Sequence, residues 1–320
     1  MRAAQISELG APPQLVDVDG PQRSDGRALV AVAAVAINPV DLAVSRGRFY
    51  GGHPDLPYIP GTEAVGRILD APTLGEGIRV YVSGGGLGIQ RDGTMVERVA
   101  VSEDDVFPLP GGIDDEHAVA CGTAGLAGWM PVAWRAPVQD GDRVLVLGAT
   151  GTAGSISVQG AKLLGAERVV AAGRDPDKLS RVKELGADDV VRLGDDDPTD
   201  DFRAAFDGGG PTLVIDPLWG EPGAAATRAA APSARHVALG QSAGPEATLT
   251  SNDVRGKTLN LLGYSNFALP PEVKRAGYLQ LVDHVASGRI VIDLDTFPLD
   301  RVADAWEHQS RGRKAVVTVS

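Results

Sequence analysis

The sequence predicts an α/β protein: a doubly wound parallel sheet in the middle of the chain and a second, β-rich unit built from its two ends. Three observations carry this. From about residue 116 to residue 267 short apolar runs alternate with helical patterns; a glycine-rich turn, GATGTAG, joins the first of these runs to its helix; and before residue 114 the chain is strand-like with few helical periods. Near-continuous apolar strands separated by helices imply a parallel sheet covered on both faces.

The front of the chain reads RALVAVAAVAI, AVGRILD, IRVYVS and TMVERVAV, short runs of Val, Ile and Ala bounded by Gly, Pro and Asp, which is the composition of strands. In the middle, RVLVL precedes a helix expected over 152–164, RVVAA one over 177–185, DVVRL one over 201–206 and TLVID one over 223–231. HVALG and TLNLLGY complete a series of six strands, which fits a dinucleotide-binding fold. The tail has helical patterns over 271–287 and 301–310 and a closing strand in KAVVTVS, and is expected to pack back on the front. The expected domains are therefore 1–116 with 268–320, and 117–267.

Composition narrows the function. A length of 320 residues suits two domains, and 43% hydrophobic with 22% charged residues is the balance of a globular protein with a sizeable core. A net charge of −12 argues against a nucleic-acid partner. The one cysteine, Cys121, excludes an internal disulfide and a four-cysteine zinc lobe. No apolar run is long enough to span a bilayer, and MRAAQISELG lacks the apolar core of a signal peptide, so a cytoplasmic protein without a membrane partner is expected.

In GATGTAG the informative spacing is Ala149-x-Gly151-x-x-Gly154, with Ala149 in the first glycine slot. Gly151 lets the backbone approach a pyrophosphate, and Gly154 lets the helix pack close to the strand. Thr150, Thr152 and Ala153 fill the turn, whose phosphates would rest on free amides at the positive end of the helix dipole. The apolar positions Ile156, Gly160, Leu163 and Leu164 are expected on one helix face. The plain alternative is a tight turn that holds nothing. After the second strand, where an acid normally binds the ribose hydroxyls of NAD, the chain has Gly173 and Arg174. A guanidinium there would grip the 2′-phosphate of NADPH, with Lys178 one helical turn further. Asp175 is either a ribose acid or, with Asp177, a cap for the helix that Pro176 opens; Arg174 is otherwise a solvated surface residue.

INPVDLAVSRGRF, IPGTEAVGRI, GLAGWMPV before APVQDGDRVLVLGATGTAG, and VIDPLWG together resemble the medium-chain dehydrogenase/reductase superfamily, and look like its zinc-independent quinone oxidoreductase branch. The resemblance covers nearly the whole chain. It implies a GroES-like catalytic domain beside the Rossmann domain, a cofactor in the cleft between them, and a homodimer formed through the last strand of the sheet. Zinc-dependent relatives bind the metal through Cys, His and Cys; those slots align here with Asn38, Thr62 and about Thr123, none a good zinc ligand. The five histidines, at 53, 117, 236, 284 and 308, show no ligand spacing and read as surface or packing residues.

Without a Lewis acid, hydride from NADPH suits an acceptor that takes charge easily, a quinone or the β-carbon of an enone, with a few donors stabilising the oxygen. Asn38, Tyr50, Thr62 and Thr123 are the candidates, in a site expected to hold no zinc, histidine pair or lysine. The family has an aromatic, often Tyr, after SRG; here Phe49 takes that slot and Tyr50 follows, so Tyr50 is either a proton donor or a wall. Asn38 has its own plain reading, a turn residue before proline. The resemblance also implies that Gly240, Gln241, Gly263, Tyr264 and Ser265 border the nicotinamide, and that Arg313 and Lys314 reach the phosphates. Two other classes remain: an enoyl reductase acting on a carrier-bound or CoA thioester, and an NADPH-binding redox sensor without turnover.

Overall fold

The structure is a computed structural model that describes residues 1–21 and 26–319. The chain divides into two compact units, Met1–Thr123 with Asp293–Ser320, and Ala124–Ile292. Both boundaries fall later than the expected 116 and 267. The helix Pro271–Ala286 belongs to the second unit, where Gly277 meets Met130 so closely that a Cβ would stand 2.2 Å from its sulfur.

The first unit is built on the strand Arg27–Ala36, whose residues alternate between half-buried and buried before ending in a fully buried run. It pairs antiparallel with Glu63–Asp70, Arg98–Ser102 and Ala315–Thr318, so the tail does return to the front sheet. The expected strand in KAVVTVS forms over Ala315–Thr318, and Ser320 lies outside the described residues. Val30, Val32, Ile68, Val80, Val82, Val317 and Trp306 fill the core, each such side chain stabilising the unit by about 1.5–3 kcal/mol. A short helix, Pro39–Ser45, interrupts the β-rich front. NPVD starts it: Asn38 is the N-cap, Pro39 occupies the first turn, and Asp41 Oδ2 accepts the Asn38 N–H at 2.7 Å.

The second unit has six strands, all parallel, in the spatial order Asp189–Arg192, Arg168–Gly173, Arg143–Val146, Leu213–Asp216, Arg235–Ala238, Asn260–Gly263. Numbered along the chain this is 3-2-1-4-5-6, the Rossmann order, with its reversal between the first and fourth strands. Its core includes Leu145, Leu147, Val170, Phe202, Val214 and Ala225. The crossover helices are Thr152–Leu163, Pro176–Glu184, Thr199–Ala204 and Gly220–Ala229, close to the expected ranges. One expectation fails: Ile156 and Gly160 are buried, but Leu163 and Leu164 are 38% and 39% exposed. They stand at the helix end, beyond the stretch from Gly154 to Ala161 that Gly128, Trp129 and the sheet cover.

Candidate functional site

Parallel strands deliver their following loops to one edge. The glycine turn, Gly173–Arg174, Gly240–Gln241 and Gly263–Ser265 therefore all lie at the carboxyl ends of the strands of the second unit. In the glycine turn Gly151 is the N-cap of helix Thr152–Leu163 and offers no side chain to cap it. The first helical bond runs from Ser155 N to Gly151 O, so the amides of Thr152, Ala153 and Gly154 have no acceptor within the helix. Gly154 is glycine for the chain's own sake: a Cβ would stand 2.4 Å from Gly148 O. Gly151 is not; the nearest atom to a Cβ there is 3.6 Å away. Internal packing leaves that position free to carry a side chain, so the protein's own contacts do not require glycine there. This fits a dinucleotide pyrophosphate.

Gly173 is glycine because Thr150 lies over it, with Thr150 Cγ2 at 2.8 Å from a Cβ. Arg174 is exposed, and its guanidinium has no hydrogen-bond or ion-pair partner among the described residues. Asp175 is the helix cap, its Oδ1 accepting from Asp177 N at 3.0 Å and Lys178 N at 3.2 Å. Lys178 is half-buried on the first turn of that helix, beside the exposed Asp175 and Asp177. Tyr264 is tied down, its hydroxyl 3.2 Å from Leu126 O and 2.5 Å from Asn266 Oδ1, and burial pushes its pKa up. Ser265 caps the following turn at Phe267 N, and Gly240 and Gln241 lie at the surface.

The first unit holds a buried polar chain around Asn38. Asn38 is 0% exposed. Its Nδ2 donates to Glu63 Oε1 at 2.7 Å and Ala36 O at 3.2 Å, and its Oδ1 accepts from Lys314 Nζ at 2.8 Å. Lys314 Nζ also donates to Ile37 O at 3.0 Å. The other Glu63 oxygen accepts from Tyr81 at 2.6 Å and from the Thr123 amide and hydroxyl at 2.6 and 2.9 Å. Asp41 is packed beside this chain; burial, aided by the Glu63 charge, pushes its carboxyl up to about 7 against the pull of the Asn38 amide and Lys314. Burial likewise brings Lys314 down to about 8, against Glu63 and Asp41. Three buried polar atoms here have no partner among the described residues: Asp41 Oδ1, Tyr58 OH and Thr62 Oγ1.

The structure thus brings Asn38 and Thr123 together on Glu63 and corrects two readings. Both amide hydrogens of Asn38 are engaged inside the protein, so it has no N–H left for a substrate oxygen. Lys314, expected to reach phosphates, is buried against Asn38, and the site expected to lack a lysine contains one. Thr62 is 5% exposed with its hydroxyl uncommitted. Tyr50 is 84% exposed and its ring packs on Phe49, with centroids 4.4 Å apart. Arg313 is exposed. Sequence reasoning missed Asp41 and Glu63 and placed Lys314 at the wrong site; the available signal was charge beside apolar strand residues, as in TEAVGRI and KAVVTV. Among the described residues no three His, Cys, Asp or Glu side chains are grouped to hold a metal ion, and no helix is long and apolar enough to cross a membrane.

Comparison with known proteins adds the family context. A model described as zinc-binding dehydrogenase matches residues 153–283, and one described as alcohol dehydrogenase GroES-like domain matches residues 24–111. A phenolphthiocerol/phthiocerol polyketide synthase protein of Mycobacterium tuberculosis is 29% identical over 306 residues, which is 91% of this chain but 13% of that protein. Quinone oxidoreductase of Homo sapiens is 26% identical, over 98% of this chain and 95% of that one. The crystal structure of an NAD-dependent alcohol dehydrogenase superposes with a TM-score of 0.87 at 25% identity, covering 100% of both chains.

Proposed function

Since the chain belongs to the medium-chain dehydrogenase/reductase superfamily as a quinone oxidoreductase-like enzyme with a nicotinamide cofactor, we propose that it uses NADPH to reduce a small quinone or enone without zinc. The observation that carries the absence of zinc in this reading is the bond from Lys314 to Asn38. In the slot where the resemblance puts the first zinc ligand, the only atom able to ligate a metal accepts from a lysine ammonium. A fixed cation 2.8 Å away repels a second one, and the Thr123 hydroxyl in the third slot is bonded to Glu63. Thr62 alone remains, one neutral hydroxyl.

The cofactor supplies hydride when bound; the chain's own residues do the rest. The amides of Thr152, Ala153 and Gly154 bind the pyrophosphate, and Arg174 holds the 2′-phosphate. Thr62 donates to the substrate oxygen that gains charge, as an oxyanion donor does. Asn38, Thr123 and Lys314 hold Glu63 and the strand ends in place. Tyr50, a phenol open to solvent, can hand a proton to an enolate; a reduced quinone takes its protons from water. Turnover of one quinone and one enone with NADPH and NADH tests the proposal. Activity with NADPH on either is expected, and comparable Michaelis constants for the two cofactors would sink the NADPH assignment.

A second reading is favoured by the polyketide synthase relative: reduction of an enoyl thioester on a carrier or CoA. Thioesters in the same substrate panel separate the two, and NADPH binding without turnover of any substrate would leave a redox sensor. We further propose that the protein works in the cytoplasm as a homodimer paired through Asn260–Gly263. Support comes from the place of that strand at the sheet edge with Leu261 44% exposed.

A further inference from the structure

After the fourth parallel strand, Leu213–Asp216, the chain turns through Pro217, Leu218 and Trp219 before helix Gly220–Ala229. Asp216 holds this turn. Its Oδ1 accepts from Leu218 N at 2.8 Å and Trp219 N at 2.7 Å. Trp219 sits at φ 53° and ψ −149°, a conformation that a non-glycine residue keeps only where its surroundings over-determine it. The other carboxylate oxygen, Oδ2, is 3.0 Å from His236 Nε2 on the neighbouring strand. His236 Nδ1 is 3.0 Å from Thr227 Oγ1, which is itself 3.0 Å from Gly223 O. Asp216, Thr227 and His236 are all fully buried. A carboxylate only accepts, so Nε2 carries the proton of that bond, and Thr227 sets the ring's orientation. Helix Gly220–Ala229 makes room for the arrangement: a Cβ at Gly223 would stand 2.5 Å from Asp216 Oδ2.

The turn is wedged at the reversal point of the sheet. A Cβ on Gly148, the first glycine of the cofactor turn, would stand 3.0 Å from Leu218 Cδ2 and 3.2 Å from Pro217 Cγ. A Cβ on Gly240, after the fifth strand, would stand 2.4 Å from Pro217 O. Any slackening of Pro217–Trp219 is thus felt on both sides of the crevice where dinucleotides bind in this fold.

We propose that the buried chain Thr227–His236–Asp216 positions the Pro217–Trp219 turn against the cofactor turn, which makes His236 a positioning residue for dinucleotide binding. The proposal rests on the cofactor reading above. It also replaces the reading of His236 as an ordinary packing histidine, because its two nitrogens are bound to two different elements and one of them steadies a strained turn.

The test uses the full chain with His236→Leu, which keeps bulk without a donor, His236→Gln, which keeps a donor toward Asp216, and Thr227→Val. Calorimetry gives NADPH and NADH affinities, amide hydrogen exchange reports on Leu218 and Trp219, and steady-state kinetics separate KM from kcat. His236→Leu is expected to weaken both dinucleotides about tenfold or more, to speed exchange at both amides, and to leave kcat at saturating cofactor little changed. His236→Gln should recover most of the affinity. If His236→Leu does not fold, Thr227→Val decides, with a several-fold weakening expected. Folded variants that bind and exchange like the parent overturn the inference alone. A parent that binds neither dinucleotide overturns the cofactor reading and this inference with it.

Discussion

A methyl group added at Gly154 would stand 2.4 Å from Gly148 O, whereas one added at Gly151 would meet nothing nearer than 3.6 Å. The two glycines of one turn therefore answer to different demands, and substitution separates them. Gly154→Ala should lower unfolding free energy by roughly 1–3 kcal/mol, since backbone must move to admit the methyl. Gly151→Ala, at φ −91° and ψ 165°, should change stability by only a few tenths, about the difference between Gly and Ala at compatible positions, yet raise the Michaelis constant for NADPH. Chemical denaturation and cofactor kinetics on the same two variants check both halves. Arg174 makes no internal bond among the described residues, so Arg174→Ala should leave stability unchanged and weaken NADPH, but not NADH, by about 1–3 kcal/mol. Thr62→Val should slow a quinone and an enone alike, while Tyr50→Phe should cost the enone more, because an enolate needs a proton at carbon or oxygen that the phenol can supply.

The helix Pro39–Ser45 and the closing strand Ala315–Thr318 come from opposite ends of the chain, and charge joins them. Asp41 is raised from 3.8 to about 7, chiefly by burial, so between those values the folded protein holds a proton that the unfolded chain has released. Its contribution to stability is therefore full below about pH 4 and is lost as pH rises toward 7. Lys314 is lowered from 10.5 to about 8, so between those values the unfolded chain holds the extra proton, and stability rises with pH from about 8 upward. Together they place a trough near pH 7 to 8. Urea unfolding of the parent and of Asp41→Asn across pH 5 to 10 should show the descending limb disappear in the variant and the ascending limb remain. A variant profile parallel to the parent's over the lower range would count against the assignment.

At the scale of the molecule, the parallel sheet ends at Asn260–Gly263, where Leu261 is 44% exposed and Arg135 Nε reaches only the last carbonyl, Gly263 O; an apolar edge strand is a pairing surface. On the proposed dimer, the parent should scatter as two chains and Leu261→Glu as one, with the melting temperature of the chain within a few degrees; a parent that scatters as one chain, or a variant of unchanged mass, would overturn pairing through this edge. The Lys314–Asn38–Glu63 chain predicts a second whole-protein property. Purified protein should carry far less than one zinc per chain and keep its activity in a chelator, and elemental analysis near one zinc per chain would overturn the proposal.

Much of this protein was local enough to be read along the chain. Short apolar runs and helical patterns placed the β-rich front, the six alternating strands and the returning tail, and the spacing of Gly151 and Gly154 marked the turn, because strand and helix preference and backbone approach are set by residues a few positions apart. Leu163 and Leu164 mark the limit of that reading: their period was helical, but whether a helical face is covered depends on what packs there. The division of roles among polar residues lay wholly outside it. Asn38 reads as a donor in the sequence and is a spent one in the fold, since its partners Glu63 and Lys314 lie 25 and 276 positions away. His236 reads as packing and is bonded to Asp216, 20 positions back on the adjacent strand. A buried polar group must find its partners wherever the sheet brings them, and strand order, not sequence neighbourhood, chooses which those are.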